Sequence, residues 1–220
     1  MNLTIDQAIK QKLPHFTVIA YTMAVVNQTT DAVWKLLNEI SHQYQTKYTI
    51  SDVVNIPKIK QSRDGYKALG KDPRHTRLAC ESLLRRIIKK IGLYQLGDII
   101  DLGNILSLLT MRSVCVVDLD RIVGNITIRL GEKEDQYTAI HRSSLNVEHL
   151  PVYQDEVSLF GNPTSDTMRT AITDQTTNIL VMIICFNQTE ILEDEALLIR
   201  LYQTYAKAKN IKKVTIGGIL

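Results

Sequence analysis

Three cysteines and five histidines are among the side chains of this sequence that could act as nucleophiles, bases or metal ligands. No histidines have the paired spacing of a metal site, so we expect no metal and no cofactor. A thiol nucleophile needs a base or a positive charge to lower its pKa. Cys115 has only Arg112 near it in sequence and lies in the apolar run V-C-V-V, which favours an inert, buried cysteine.

Several common kinds of catalytic chemistry have no support in the sequence. It contains no glycine-rich phosphate loop, no Ser-His-Asp motif and no dinucleotide fingerprint. We therefore do not expect a kinase, a serine hydrolase or a dehydrogenase.

Basic side chains are concentrated in one part of the chain. Residues 58–90 contain eleven lysines and arginines and only three acidic residues, although the whole chain has a net charge of +3. Such asymmetry hints at a polyanionic partner, and the alternative is an ordinary solvated helix face.

Apolar periodicity predicts an α+β (mixed α/β) fold, with one compact domain over residues 1–220. The first predicted helix has Asp31 as its N-cap and runs through Ile40. The second covers 76–91 and ends at Gly92, and the third covers 191–208. A helix is also indicated at 104–109, with Asp101 as a possible cap. The predicted strands are 16–26, 114–119, 125–130, 137–140, 152–159, 178–186 and 214–216. The apolar run at 178–186 is typical of a strand buried on both faces.

The cysteine pattern and the apolar runs bear on the compartment. Cys80, Cys115 and Cys185 are odd in number and widely spaced in apolar surroundings, which indicates reduced thiols. The longest apolar run, 179–186, is too short to cross a bilayer, and residues 1–6 do not have the pattern of a signal peptide. We therefore expect a cytoplasmic protein without a membrane partner.

Three stretches together carry a family resemblance. The first is Y-K-A-L-G-K-D-P-R at 66–74, followed by E-S-L-L-R-R at 81–86. The second is I-D-L-G-N-I-L-S at 100–107, leading to V-D-L-D-R-I at 117–122, and the third is I-T-D-Q-T-T-N-I-L at 172–180. In this order the chain resembles the tRNA-editing domain of the phenylalanyl-tRNA synthetase beta subunit, and still more its stand-alone homologues. The resemblance is strongest over 64–186.

The resemblance implies a domain that accepts the aminoacylated 3′ end of tRNA and hydrolyses the ester of tyrosine attached in place of phenylalanine. Polar groups would position the attacking water and the developing oxyanion. The expected partner is tRNA, and its backbone would be contacted by Arg74, Arg85, Arg86, Lys89 and Lys90. No aromatic residue interleaves this cluster, which argues against stacking of single-stranded bases.

The sequence departs from the family at three positions of the implied pocket. Gly103 replaces a threonine, Cys115 replaces the editing histidine, and Met182 replaces a glutamate. The positions that match the family are Asp101, Asn104, Asp118 and Asp120. The residues expected to line the substrate pocket are Arg77, Glu81, Asn104, Cys115, Asp118 and Arg169. Glu81 is also placed to pair with Arg77 or Arg85 along a helix. Asp166 and Arg169 precede the third stretch, and the pattern leaves open whether they face substrate or solvent.

Two main hypotheses follow, and the sequence leaves both open. The first is a hydrolase that deacylates misacylated tRNA in trans, and the second is a non-catalytic module that binds tRNA or an amino acid. A diverged enzyme for a small amino-acid ester or amide is a third interpretation, whereas aminoacylation is not expected. The amino acid, the tRNA species and the oligomeric state are not predicted.

Overall fold

The computed structural model describes residues 1–140 and 144–217, which form six α-helices and eight β-strands. The helices are α1 (Gln7–Lys12), α2 (Asp31–Lys47), α3 (Pro57–Leu69), α4 (Ala79–Ile88), α5 (Asp98–Thr110) and α6 (Ile191–Tyr205). The strands are β1 (Leu3–Ile5), β2 (Thr17–Ala24), β3 (Val114–Asp118), β4 (Ile126–Leu130), β5 (Pro151–Gln154), β6 (Leu159–Gly161), β7 (Asn178–Cys185) and β8 (Lys209–Lys213). The predicted α+β class is confirmed. In this part of the chain no helix is long and apolar enough to cross a membrane.

The strands form two four-stranded sheets. One has the order β1-β4-β5-β6, with β1 and β4 parallel and the other pairs antiparallel. The second has the order β3-β7-β2-β8 and is antiparallel throughout. Every residue of β7 after Asn178 is buried, which agrees with the prediction of a strand covered on both faces.

Helix α4 is shorter than the periodicity predicts. Its backbone leaves the helix at Lys89, and Lys90 and Gly92 then adopt positive φ angles of 56° and 76°. The Ile91 N–H donates to the carbonyl oxygen of Arg86 at 3.0 Å and closes the turn. The chain therefore reverses before Gly92, and the residues that follow form a loop rather than a last helical turn.

Other boundaries differ from the predictions for local reasons. The N-cap of α2 is Thr30, whose hydroxyl accepts the N–H of Val33, rather than Asp31. Residues 137–140 form only an isolated bridge between Ala139 and Thr167 instead of a strand. The predicted strand 152–159 is split into β5 and β6, because the Asp155 carboxylate accepts backbone N–H groups in the turn between them.

Several elements were placed wrongly or not predicted, and β1 and α1 are among those that were not predicted. The last strand is β8 at Lys209–Lys213 rather than 214–216, because an exposed edge strand of mostly polar residues lacks an apolar pattern. Helix α3 was not predicted, although Pro57 opens it and Gly70 ends it with φ of 104°. Helix α5 begins at Asp98, so Asp101 lies inside its first turn instead of capping a helix that begins at Asn104.

Candidate functional site

A cavity of about 320 Å³ opens between α5, β3 and the loop 163–172. Its apolar wall is formed mainly by Leu96, Ile100, Val114, Val116, Ile140 and Ile172. The polar side chains in its lining are those of Asn104 and Asp166. Nowhere in residues 1–140 and 144–217 do three His, Cys, Asp or Glu side chains come together to hold a metal ion. The cavity therefore combines an apolar surface with one amide and one carboxyl group.

Gly103 brings α5 close to β3 at this cavity. A Cβ atom added to Gly103 would lie 2.6 Å from the Cγ2 atom of Val116, which is closer than real Cβ contacts. The threonine that the family has at this position would therefore collide with the Val116 side chain of β3. The close approach places Asn104, the next residue of α5, on the cavity wall.

The mouth of the cavity is fixed by Asp101. Both carboxylate oxygens of Asp101 accept the backbone N–H of Leu96 at 3.2 Å. Burial raises the pKa of Asp101 to about 6, although these hydrogen bonds act in the opposite direction. Asp101 thus holds the loop before α5 and is not part of the lining.

Asp166 is held by the loop between β6 and the 3₁₀ turn at Met168–Thr170. The Ile140 N–H donates to the carbonyl oxygen of Asp166 at 2.9 Å, and the Thr167 N–H donates to that of Phe160 at 3.0 Å. A Cβ atom on Gly161 would lie 2.5 Å from Oδ1 of Asp166, so this glycine leaves the room that the carboxyl group occupies. Among the described residues, no lysine or arginine forms an ion pair with the Asp166 carboxyl group within 4.0 Å.

The environment of Asp166 changes its acidity. Burial raises the pKa of the carboxyl group to about 7, and a hydrogen bond with the Cys115 thiol partly opposes this shift. A carboxyl group with such a pKa exchanges protons near neutral pH. It has the acidity that a general base needs under those conditions.

Cys115 lies between the lining residues Val114 and Val116 and is itself buried. Burial raises its pKa well above the ordinary value, and the negative charge of Asp166 raises it further. The thiolate form is therefore disfavoured at neutral pH, and a thiol nucleophile has no support in the geometry.

The hydroxyl of Tyr153 has no hydrogen-bond partner among the described residues and is also buried.

Two other predicted pocket residues stabilise the surrounding loops. Asp118 accepts the Thr176 hydroxyl at 2.6 Å and the Asp120 N–H at 3.0 Å, so it braces the end of β3. Arg169 binds the Asp155 carboxylate at 2.8 Å and is outside the cavity lining. Of Asp166 and Arg169, the pair that the sequence left undecided, only Asp166 lines the cavity.

Glu81 and Arg77 do not line the cavity. They belong to α4 and the residues just before it, where basic side chains cover the surface. Glu81 is fully buried and pairs with Arg63 at 2.8 Å and with Arg85 at 2.9 Å, whereas Arg77 is exposed. The side chains Arg77, Arg85, Arg86 and Lys89 line a shallow groove of about 200 Å³. Arg74 is not in this groove and forms an ion pair with Asp72.

An aromatic residue accompanies this basic surface, which the sequence argument did not find. The guanidinium carbon of Arg86 lies 5.1 Å from the centre of the Tyr94 ring. Arg86 also donates from Nε to the carbonyl oxygen of Gly92 at 3.1 Å. Tyr94 follows the cluster in sequence instead of interleaving it, and the turn after α4 brings its ring back.

Residues 61–212 match the B3/4 domain, which is more than half of the chain. The chain belongs to the B3/4 domain family. All the residues that line the cavity fall within the matched range.

The fold has a counterpart among solved structures. The B3/4 chain is similar to the crystal structure of an N-terminal fragment of the phenylalanyl-tRNA synthetase beta subunit from Pyrococcus horikoshii. The TM-score is 0.54 at 9% identity, and the match covers 98% of this chain and 51% of that one. The chain thus spans about half of the length of that fragment, and at this identity the likeness concerns the fold. No curated protein matches the sequence. The resemblance to a domain of the synthetase beta subunit is confirmed at the level of family and fold.

Proposed function

We propose that this B3/4 domain binds the aminoacylated 3′ end of a tRNA in trans and hydrolyses the ester between the amino acid and the ribose. The observation that carries the proposal is the apolar cavity of about 320 Å³ that contains the Asp166 carboxyl group. This volume lies in the range of small-molecule sites, which is roughly 300–1,000 Å³. The buried cysteines are all free thiols, in keeping with our proposal that the protein acts in the cytoplasm.

Asp166 is the general base of the proposed reaction. Its ionised carboxylate accepts a proton from a water molecule as the water oxygen attacks the ester carbonyl carbon. The bond between that carbon and the ribose oxygen then breaks, and the ribose oxygen takes the proton from Asp166 and leaves as a hydroxyl group, which restores the carboxylate. The pKa of about 7 suits this role, because a base is most effective when its pKa lies near the working pH.

Asn104 supports the same step from the opposite element. Its side chain lines the cavity on α5 and has no hydrogen-bond partner within the described part of the chain. The amide can donate to the carbonyl oxygen on which negative charge develops. The apolar wall favours an amino acid with an apolar or aromatic side chain, since polar side chains would lose their hydration there.

A non-catalytic binding module is the second candidate, and the replaced residues favour it. Gly103 offers no hydroxyl, Cys115 is buried as a thiol, and Met182 is fully buried within β7. The groups that the resemblance implies for editing are thus missing, and catalysis would depend on Asp166 alone among the ionisable side chains of the lining.

Deacylation of a panel of aminoacyl-tRNAs, Tyr-tRNA(Phe) included, separates the two candidates. We expect the purified protein to hydrolyse at least one member, and Asp166→Asn to reduce that rate by about 100-fold or more, as for loss of a general base. Asp174→Asn, the same change at an exposed aspartate, should keep the wild-type rate. If no member is hydrolysed while uncharged tRNA binds, the binding module replaces the hydrolase.

A further inference from the structure

The loop between α4 and α5 exposes apolar side chains next to the basic groove. Ile91 is 59% exposed, Tyr94 70% and Leu96 53%. Tyr94 is the most exposed aromatic side chain in residues 1–140 and 144–217. Proteins that bind single-stranded nucleic acid use such rings as stacking surfaces for bases.

The loop is fastened at both ends, so the position of Tyr94 is defined. On the α4 side, Arg86 donates from Nε to the Gly92 carbonyl oxygen at 3.1 Å and its guanidinium lies over the ring. On the α5 side, the Leu96 N–H is held by Asp101. An aromatic ring that is anchored in this way and remains exposed presents a planar surface at little cost in conformational entropy.

The charge around Tyr94 is of one sign. Residues 82–97 contain four basic and no acidic residues. Arg77 lines the same groove as Arg85, Arg86 and Lys89. Within the described residues, no carboxylate lies within 4.0 Å of the charged groups of Arg77, Lys89 or Lys90. Cations that lack protein partners next to an exposed ring complement the phosphates and bases of a single strand.

The loop also connects the groove to the cavity. Leu96 lines the cavity mouth, and Tyr94 precedes it by two residues, which places their Cα atoms at most about 7 Å apart. A chain that contacts the groove and Tyr94 can therefore reach the cavity with its end. A membrane surface would not use this connection, so an RNA strand fits these observations better.

We propose that Tyr94 and Arg86 form a stacking platform for an unpaired nucleotide, and that Arg77, Lys89 and Lys90 bind the phosphates beside it. The platform would guide the single-stranded 3′ end of tRNA into the cavity. This inference rests on the proposed function for the direction of the strand, whereas the platform itself needs only unpaired RNA.

Fluorescence anisotropy with an uncharged, labelled RNA strand of about eight nucleotides tests the platform. Tyr94→Ala should weaken binding by about tenfold, which corresponds to about 1.4 kcal/mol and lies within the range for loss of one stacked base. Tyr94→Phe keeps the ring and should bind as the wild type does. A duplex of the same sequence should be bound without any effect of Tyr94→Ala.

The phosphate contacts are tested by the salt dependence of the same binding. The double variant Lys89→Gln/Lys90→Gln should reduce the slope of log K against log salt by about 1.4, at about 0.7 per phosphate contact. Lys12→Gln/Lys133→Gln removes the same charge from exposed lysines elsewhere and should leave the slope nearly unchanged. If the slope fell equally in both double variants, only the net charge would matter, and the proposed phosphate contacts of Lys89 and Lys90 would be refuted.

Equal RNA binding by wild type and Tyr94→Ala would overturn the platform, and so would binding to anionic lipid vesicles but not to RNA. Because the RNA carries no amino acid, the result is independent of hydrolysis. Loss of binding in Tyr94→Ala without any deacylation by the wild type would refute only the hydrolase.

Discussion

Replacing Asp166 with asparagine should make the protein more stable at alkaline pH while reducing the proposed hydrolysis by about 100-fold or more. The pKa of Asp166 is about 7 in the folded protein, against an ordinary value of 3.8. The folded state therefore binds more protons than the unfolded state between these values, and wild-type stability falls as the pH rises through this window. Asparagine is neutral at every pH and does not lose stability in this way.

The size of the effect follows from the shift in pKa. Three units at about 1.36 kcal/mol each give an upper bound of about 4 kcal/mol above pH 7. Asp166 as a whole residue is only half-buried, so solvent screening reduces this figure. We therefore expect the stability difference between variant and wild type to grow by about 1–3 kcal/mol from pH 4 to pH 8.

Urea denaturation of both proteins at pH 4, 6 and 8 measures this difference directly. The comparison across pH removes any constant contribution from the different hydrogen bonding of an amide. Asp174→Asn serves as the control and should show no such growth. A stability difference that does not depend on pH would show that the carboxyl group is well solvated, and the assignment of Asp166 as a base would lose its physical basis.

Three further outcomes are expected. The single-turnover hydrolysis rate should rise with pH to a plateau with a midpoint near 7, because the ionised Asp166 is the active form; a profile that is flat between pH 5 and 9, after correction for spontaneous hydrolysis, would exclude this base. Gly103→Thr should destabilise the fold by about 1–3 kcal/mol in urea denaturation, because its side chain meets Val116, and unchanged stability would show that α5 can move away. Cys115→Ala should leave the deacylation rate within about twofold of wild type, and a loss as large as that expected of a catalytic group would mean that the thiol takes part after all.

The elements that the sequence predicted well are those with a strong apolar pattern. Strand β7 is a continuous apolar run, and α4 has one apolar and one basic face. Helix α3 was missed because the apolar residues of its buried face are few and widely spaced among polar residues, although Pro57 and Gly70 marked its two ends. Strand β8 carries only one apolar residue and is held by pairing with β2, which no local pattern reveals.

The candidate site was predictable only in part. The family resemblance drew attention to Asn104 and Cys115, which lie on and behind the cavity wall. The orientation of Asp166 depends on a loop without periodicity that packs against β3, a contact between distant parts of the chain. Tyr94 was missed because the reversal after α4, rather than helical spacing, brings it under Arg86.

The central place of β7 has a consequence for how the protein is made. Strand β2 pairs with β7 from Thr17 opposite Cys185 to Ala24 opposite Asn178, and its other neighbour, β8, is synthesised later still. Strand β3 also has β7 as its sheet neighbour. On the ribosome, β2 and β3 therefore emerge with unpaired edges and must wait for most of the chain before either can be covered. Such late, long-range pairing slows folding and leaves these strand edges open to aggregation while the chain is being made.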